Sequence, residues 1–221
     1  MIEIGPFGHK VCFAPMHNAK GKRDATGAFQ PEMRKFTGNG VLFNNHASKN
    51  EQRCTVLNKI ETQAEKHGKI NCVAFFCHGW KTGIQPGFNL QNVDELALAI
   101  STHCLTNVKV VLFCCSVAGG PGPGGDGGFA DVLRDRLCAL GSTYCRVYGH
   151  DRKGHTTNNP FVRVFEGRGS PLGATGGQYL VDPKNKKVFS TWRRLLRTTN
   201  LRWRFPFMEI SEVHDEILKS C

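Results

Sequence analysis

Two stretches decide the fold: Ile70-Asn-Cys-Val-Ala-Phe-Phe-Cys77, which stops at His78-Gly79, and Val108-Lys-Val-Val-Leu-Phe-Cys114, which stops at Cys115-Ser116. Each is short, nearly continuous in apolar residues and rich in β-formers, the pattern of a strand buried on both faces of a parallel sheet. Between them, Asn92 to Cys104 sets Val93, Leu96, Ala97 and Ile100 on one face of an amphipathic helix. Beyond the second, a glycine-dense run over 118–128 leads into a helix from Phe129 to Leu140, closed by Gly141, and then into a third strand from Thr143 to Tyr148. Strand, helix, strand, helix, strand implies right-handed crossovers. The expected fold is therefore α/β, a three-layer sandwich with a mainly parallel central sheet and helices on both faces.

Upstream, Val11 to Ala14 and Val41 to Phe43 are short apolar stretches, the first followed by a polar, glycine-containing loop through Lys35. Glu51 to His67 carries Val56, Leu57, Ile60 and Ala64 at helical spacing. Downstream, Gln178 to Val181 and Lys187 to Ser190, separated by Asp182-Pro-Lys-Asn-Lys186, read as a hairpin, and Ile210 to Lys219 as a terminal helix. No repeat or linker interrupts residues 1–221, so one domain is expected.

Hydrophobic residues at 40% and charged residues at 21% are near the globular norm, which argues against disorder. No apolar run approaches the ~20 residues that cross a bilayer, and the first twenty residues lack the pattern of a signal peptide. A soluble, cytoplasmic protein is expected, its ten cysteines reduced and mostly filling core. The 29 Lys and Arg against 18 Asp and Glu give a net charge of +11, and eight of those basic residues lie between Pro183 and Arg204 with no acid among them. With Trp192 and Trp203 interleaved, this Lys184 to Arg204 tract suits a nucleic acid, an acidic partner or a solvated face.

In a parallel sheet, chemistry gathers where strands end at their carboxyl edge. If the two decisive strands are neighbours, His78 and Cys115 emerge on that edge roughly 5 Å apart at the backbone. An imidazole and a thiol so placed form a nucleophile and base pair: the histidine helps generate thiolate, which attacks a carbonyl, and later returns a proton to the leaving group. Gly79, without a side chain, leaves its N–H open to a developing oxyanion beside the N–H of Cys115.

A hydrophobic block ending in His78-Gly79, then a second ending in Val110-Val-Leu-Phe-Cys-Cys115-Ser-Val-Ala-Gly119, resembles the caspase-like cysteine peptidases, and looks closest to the CHAT and metacaspase-like members. The resemblance covers about residues 70–150. It implies a caspase-like fold, peptide-bond cleavage through a covalent thioester with no cofactor, His78 as catalytic histidine, Cys115 as nucleophile and Gly79 as oxyanion glycine. The family usually has Ala or Ser where Cys114 stands, so two thiols compete for the nucleophile's place. Cys115 is preferred because it is the second residue after Val-Val-Leu-Phe. An α/β-hydrolase reading of Phe75-Phe-Cys-His-Gly-Trp80 fails, since no Gly-x-Ser-x-Gly elbow follows.

The resemblance also implies a specificity pocket built by loops after neighbouring strands. Asp24 and Asp151 are acidic candidates there, favouring cleavage after Lys or Arg, and His150 is placed to contact substrate or support His78. Gly119 to Gly128 is either a substrate-facing loop that orders on binding or a passive surface loop. Cys145-x4-His150-x4-His155 matches no standard zinc spacing, so no metal is expected. The alternative to a peptidase is a catalytically silent caspase-like binding module, with the basic tract as its nucleic-acid surface.

Overall fold

The computed structural model describes residues 9–38, 40–167 and 176–221. Residues 1–8, part of the stretch in which the sequence shows no signal peptide, lie outside them. Nine strands are present among the described residues: β1 (Lys10–Pro15), β2 (Val41–Phe43), β3 (Ile70–Phe76), β4 (Gly79–Trp80), β5 (Gly83–Ile84), β6 (Cys104–Phe113), β7 (Arg146–His150), β8 (Val162–Glu166) and β9 (Gln178–Tyr179). Seven form one sheet in the order β2-β1-β3-β6-β7-β8-β9, and β4 with β5 makes a small separate hairpin. Every pairing from β2 to β7 is parallel, while β7–β8 and β8–β9 are antiparallel.

Alternation along the central strands divides the core in two. Val73, Phe75, Val110 and Leu112 face one side, where they meet Val56 and Ile60 of α2 (Lys49–His67), Leu96 and Ile100 of α3 (Val93–His103), and Leu133 and Leu137 of α4 (Phe129–Ala139). Ala74, Phe76, Val111 and Phe113 face the other side. There they meet Met33 and Phe36 of α1 (Gln30–Thr37), Trp192 and Leu196 of α5 (Lys186–Thr198), Leu201 of α6 (Leu201–Arg204), and Val213 and Ile217 of α7 (Ile210–Leu218). A strand with two apolar faces needs cover on both, which is why the central strands read as unbroken hydrophobic runs. Among the described residues no helix is long and apolar enough to cross a membrane.

Two expectations are corrected. The stretch after β1 is not a loop through Lys35: a π-helical turn over Ala25–Phe29 runs into α1. Its signal is Phe29, Met33 and Phe36, four and three residues apart, all buried, with Pro31 in the first turn, where a missing N–H costs no helical bond. The basic tract is not a hairpin either. Gln178–Tyr179 pairs with β8, but the second half is helix α5. Asp182 accepts from the N–H of Lys184 and Asn185 from that of Val188, so residues that resemble a turn act as a helix entry. Val188, Trp192, Leu195 and Leu196 then hold one helical stripe against the sheet, and the cations take the other side. The third strand also begins later and ends later than expected, at Arg146 and His150, because Ser142 to Cys145 closes a turn first.

Candidate active site

The register of β3 against β6 positions the site. Phe76 is opposite Phe113, so Cys77 and Cys114 are each one residue beyond the pair and His78 and Cys115 each two beyond. Cys77 and Cys114 turn into the core, with their sulfurs 3.5 Å apart and both residues buried. Burial pushes the Cys114 thiol well above its ordinary range, so that it stays protonated. Cys115 is only half-buried, which leaves it the accessible thiol of the two. Immediately after it Ser116 has φ 61°, the one non-glycine residue with positive φ among the described residues, and the chain turns sharply there.

His78 is held from three directions. Its Nε2 lies 2.6 Å from Oδ2 of Asp24, and the ring of Phe29 meets the imidazole edge-on at 5.0 Å. Its backbone is clasped by Gln85, whose side-chain oxygen accepts from the N–H of His78 and whose own N–H donates to the carbonyl of His78. Asp24 in turn caps the π-helical turn, its Oδ1 accepting from the N–H groups of Ala19 and Ala25. Burial raises the Asp24 carboxyl, but the hydrogen bonds from His78, Ala19 and Ala25 outweigh it and leave the group below the usual carboxylate value. With Nε2–H donating to Asp24, the lone pair of the neutral imidazole is on Nδ1.

Gly79 packs on the other partner. A Cβ there would lie 2.6 Å from Cγ1 of Val117, 2.7 Å from Cβ of Cys114 and 3.0 Å from the carbonyl oxygen of Cys115. Close approach of the two strand ends therefore requires glycine at 79, in addition to the oxyanion role read from the sequence. The Cys115 thiol donates to the carbonyl of Gly154 at 3.7 Å, so the loop following β7 borders the sulfur. Among the described residues no hydrogen bond joins this thiol to His78.

The remaining expectations are placed as follows. Asp24 is at the site but faces His78. The Asp151 side chain is 8% exposed and surrounded by cations and a phenol: Arg152 at 2.9 Å, Arg163 at 3.8 Å and the Tyr179 hydroxyl, which donates to it. His150 ends β7 inside the core against Phe113, and burial, partly offset by the charge of Asp151, lowers it to about 4. It is enclosed and neutral at pH 7. The 118–128 run folds back on itself: a Cβ at Gly120 would strike the carbonyl oxygens of Asp126 and Gly125, and Gly122 and Asp126 exchange backbone hydrogen bonds with the turn. Cys145 is buried beside Cys138, and among the described residues no group of three or more His, Cys, Asp or Glu is gathered to hold a metal. Phe29 and Gln85 are not marked as site residues by the sequence, whereas Gly154 lies in the polar stretch from Tyr148 to Pro160 that follows a strand end. Comparison of the chain with family models, with curated proteins and with solved structures finds no match.

Proposed function

We propose that the protein is a cysteine endopeptidase with a caspase-like three-layer fold, in which Cys115 is the nucleophile, His78 the proton carrier and Asp24 the residue that orients His78. The observation that carries this reading is the matched register, which sets His78 and Cys115 two residues past the same strand pair, with one thiol reachable and its neighbour enclosed. The thiol proton passes to Nδ1 of His78 as sulfur bonds to the peptide carbonyl carbon. The oxyanion is held by the N–H groups of Gly79 and Cys115. As the C–N bond breaks, the imidazolium returns the proton to the leaving amine. Water, deprotonated by His78, then hydrolyses the thioester and restores the thiol. A preference for Lys or Arg before the scissile bond does not carry over into the proposal, because both carboxylates that would select it are already engaged.

The test compares wild type with Cys115→Ala, Cys114→Ala and His78→Ala for cleavage of a fluorogenic peptide library and for labelling by an electrophilic peptide probe. Cys115→Ala and His78→Ala are expected to lose at least 10²-fold in cleavage, and Cys115→Ala all specific labelling, while Cys114→Ala retains both. Undiminished labelling of Cys115→Ala removes the proposed nucleophile and favours the binding-module alternative.

A further inference from the structure

The loop after β7 and helix α5 enclose a cavity of about 490 Å³ lined by Lys153, Gly154, His155, Phe161, Phe189, Arg193 and Arg197 among others, and no acidic residue lines it. Gly154 belongs both to the wall of this cavity and to the Cys115 contact, so one residue joins the cavity to the proposed nucleophile. Two aromatic rings line it, Phe161 and Phe189, 4.9 Å apart between centroids, with the Arg152 guanidinium 3.7 Å from the Phe161 centroid. Its rim is cationic, and Lys153, Arg193 and Arg197 form no ion pair among the described residues.

Resting on the peptidase reading and deepening it, we infer that this cavity is the subsite for an acidic peptide segment of the substrate beside the scissile bond. Arg193 and Arg197 are one helical turn apart, which puts their Cβ atoms about 5–6 Å from each other. Same-face residues of an extended peptide are about 6.6 Å apart, so two carboxylates spaced as Glu-x-Glu match the two guanidiniums. Arginine forks suit carboxylates in a pocket with aromatic walls, whose faces also favour cations.

A nucleic acid fits less well. Base stacking would call on the tryptophans of the tract, but Trp192 is wholly buried with its indole N–H donating to the carbonyl of Pro160, and Trp203 packs with Phe36. Arg194 and Arg202 are occupied by the carbonyls of Ser220 and Leu196. Of the tract's remaining cations, Arg193 and Arg197 line this one concave site, while Lys184, Lys186, Lys187 and Arg204 lie outside it.

The experiment uses the full chain carrying Cys115→Ala, so that binding is read without cleavage, and follows fluorescence anisotropy of three labelled peptides of one length holding Glu-x-Glu, Gln-x-Gln or Lys-x-Lys. The Glu-x-Glu peptide is expected to bind at least tenfold more tightly than the other two, and Arg193→Glu with Arg197→Glu to abolish that difference. Should charge reversal lower Tm, the neutral pair Arg193→Gln and Arg197→Gln carries the same comparison, with the difference reduced rather than abolished. Equal binding of the three peptides, or a Glu-x-Glu preference untouched by these substitutions, overturns the inference. So does a single-stranded oligothymidine that binds more tightly than the acidic peptide and depends on the same arginines. Wild-type labelling at Cys115 with no acidic preference leaves the peptidase reading standing and removes only the subsite. Acidic binding with no labelling does the reverse.

Discussion

Asp24 and Asp151 are alike in the sequence, one an acid in the loop after the first apolar strand and the other just past the third, and their surroundings in the fold are opposite. The loop after β1 carries Asp24 to a histidine and to two backbone N–H donors, with 14% of its side chain exposed. The loop after β7 carries Asp151 to Arg152, Arg163 and Tyr179, where its charge is fully used in holding that loop to β8 and β9. A carboxylate in the segment after a strand thus takes its surroundings from what the rest of the chain brings to it. The most direct way to break this contrast is Asp151→Ala. With Arg152 half exposed, removing this enclosed acceptor costs about 1–3 kcal/mol, which in a chain of this size lowers Tm by at least roughly 2 °C. Alkylation of Cys115 at 25 °C should remain near the wild-type rate. A stability loss below about 1 kcal/mol in urea titrations would show that Asp151 is a surface acid after all.

The next effect comes from the neighbour of Asp151. His150 is enclosed in the folded protein and lowered from 6.5 to about 4. In the unfolded chain it takes up a proton as pH falls below its ordinary value, while the folded protein does not. Its contribution to stability is complete above pH 6.5 and is lost as pH falls toward 4, amounting to about 3 kcal/mol over that window. Equilibrium unfolding at pH 7, 5.5 and 4.5 should show a decline that His150→Gln flattens. An identical decline in the variant assigns the acid sensitivity to other groups.

The same contrast explains what could be read from the sequence. The parallel centre was legible because burial on both faces leaves a pattern within seven consecutive residues, as in Ile70–Phe76, and the placement of His78 and Cys115 at one edge of the sheet followed from strand order. Helices α1 and α5 were hidden by residues with two uses. Pro31, Asp182 and Asn185 mark turns as readily as helix entries, and only the later apolar stripes separate the two. The engagement of each aspartate was not legible, because the partners lie 54 residues away for Asp24 and 28 for the Tyr179 contact of Asp151, joined only by the sheet order. The choice of Cys115 over Cys114 rested on pattern in the sequence. The fold separates the two thiols, turning Cys114 into the core beside Cys77 and leaving Cys115 half-buried beside the carbonyl of Gly154.

The smallest of these effects tests the Asp24 half of the contrast. Asp24→Asn keeps the Oδ1 acceptor for Ala19 and Ala25 but puts an amide donor where Oδ2 accepted from His78. An N–H facing an N–H is repelled, so the imidazole moves its proton to Nδ1 and loses the lone pair that should meet the Cys115 thiol. Acting through His78, Asp24 is a positioning residue, and its loss is expected to lower kcat by about 10–100-fold, or about 1.4–2.7 kcal/mol, with KM within about threefold. The rate of Cys115 alkylation by iodoacetamide should fall in parallel, and Asp24→Glu should recover part of both. A KM effect alone, with kcat and alkylation unchanged, would instead return Asp24 to the specificity pocket.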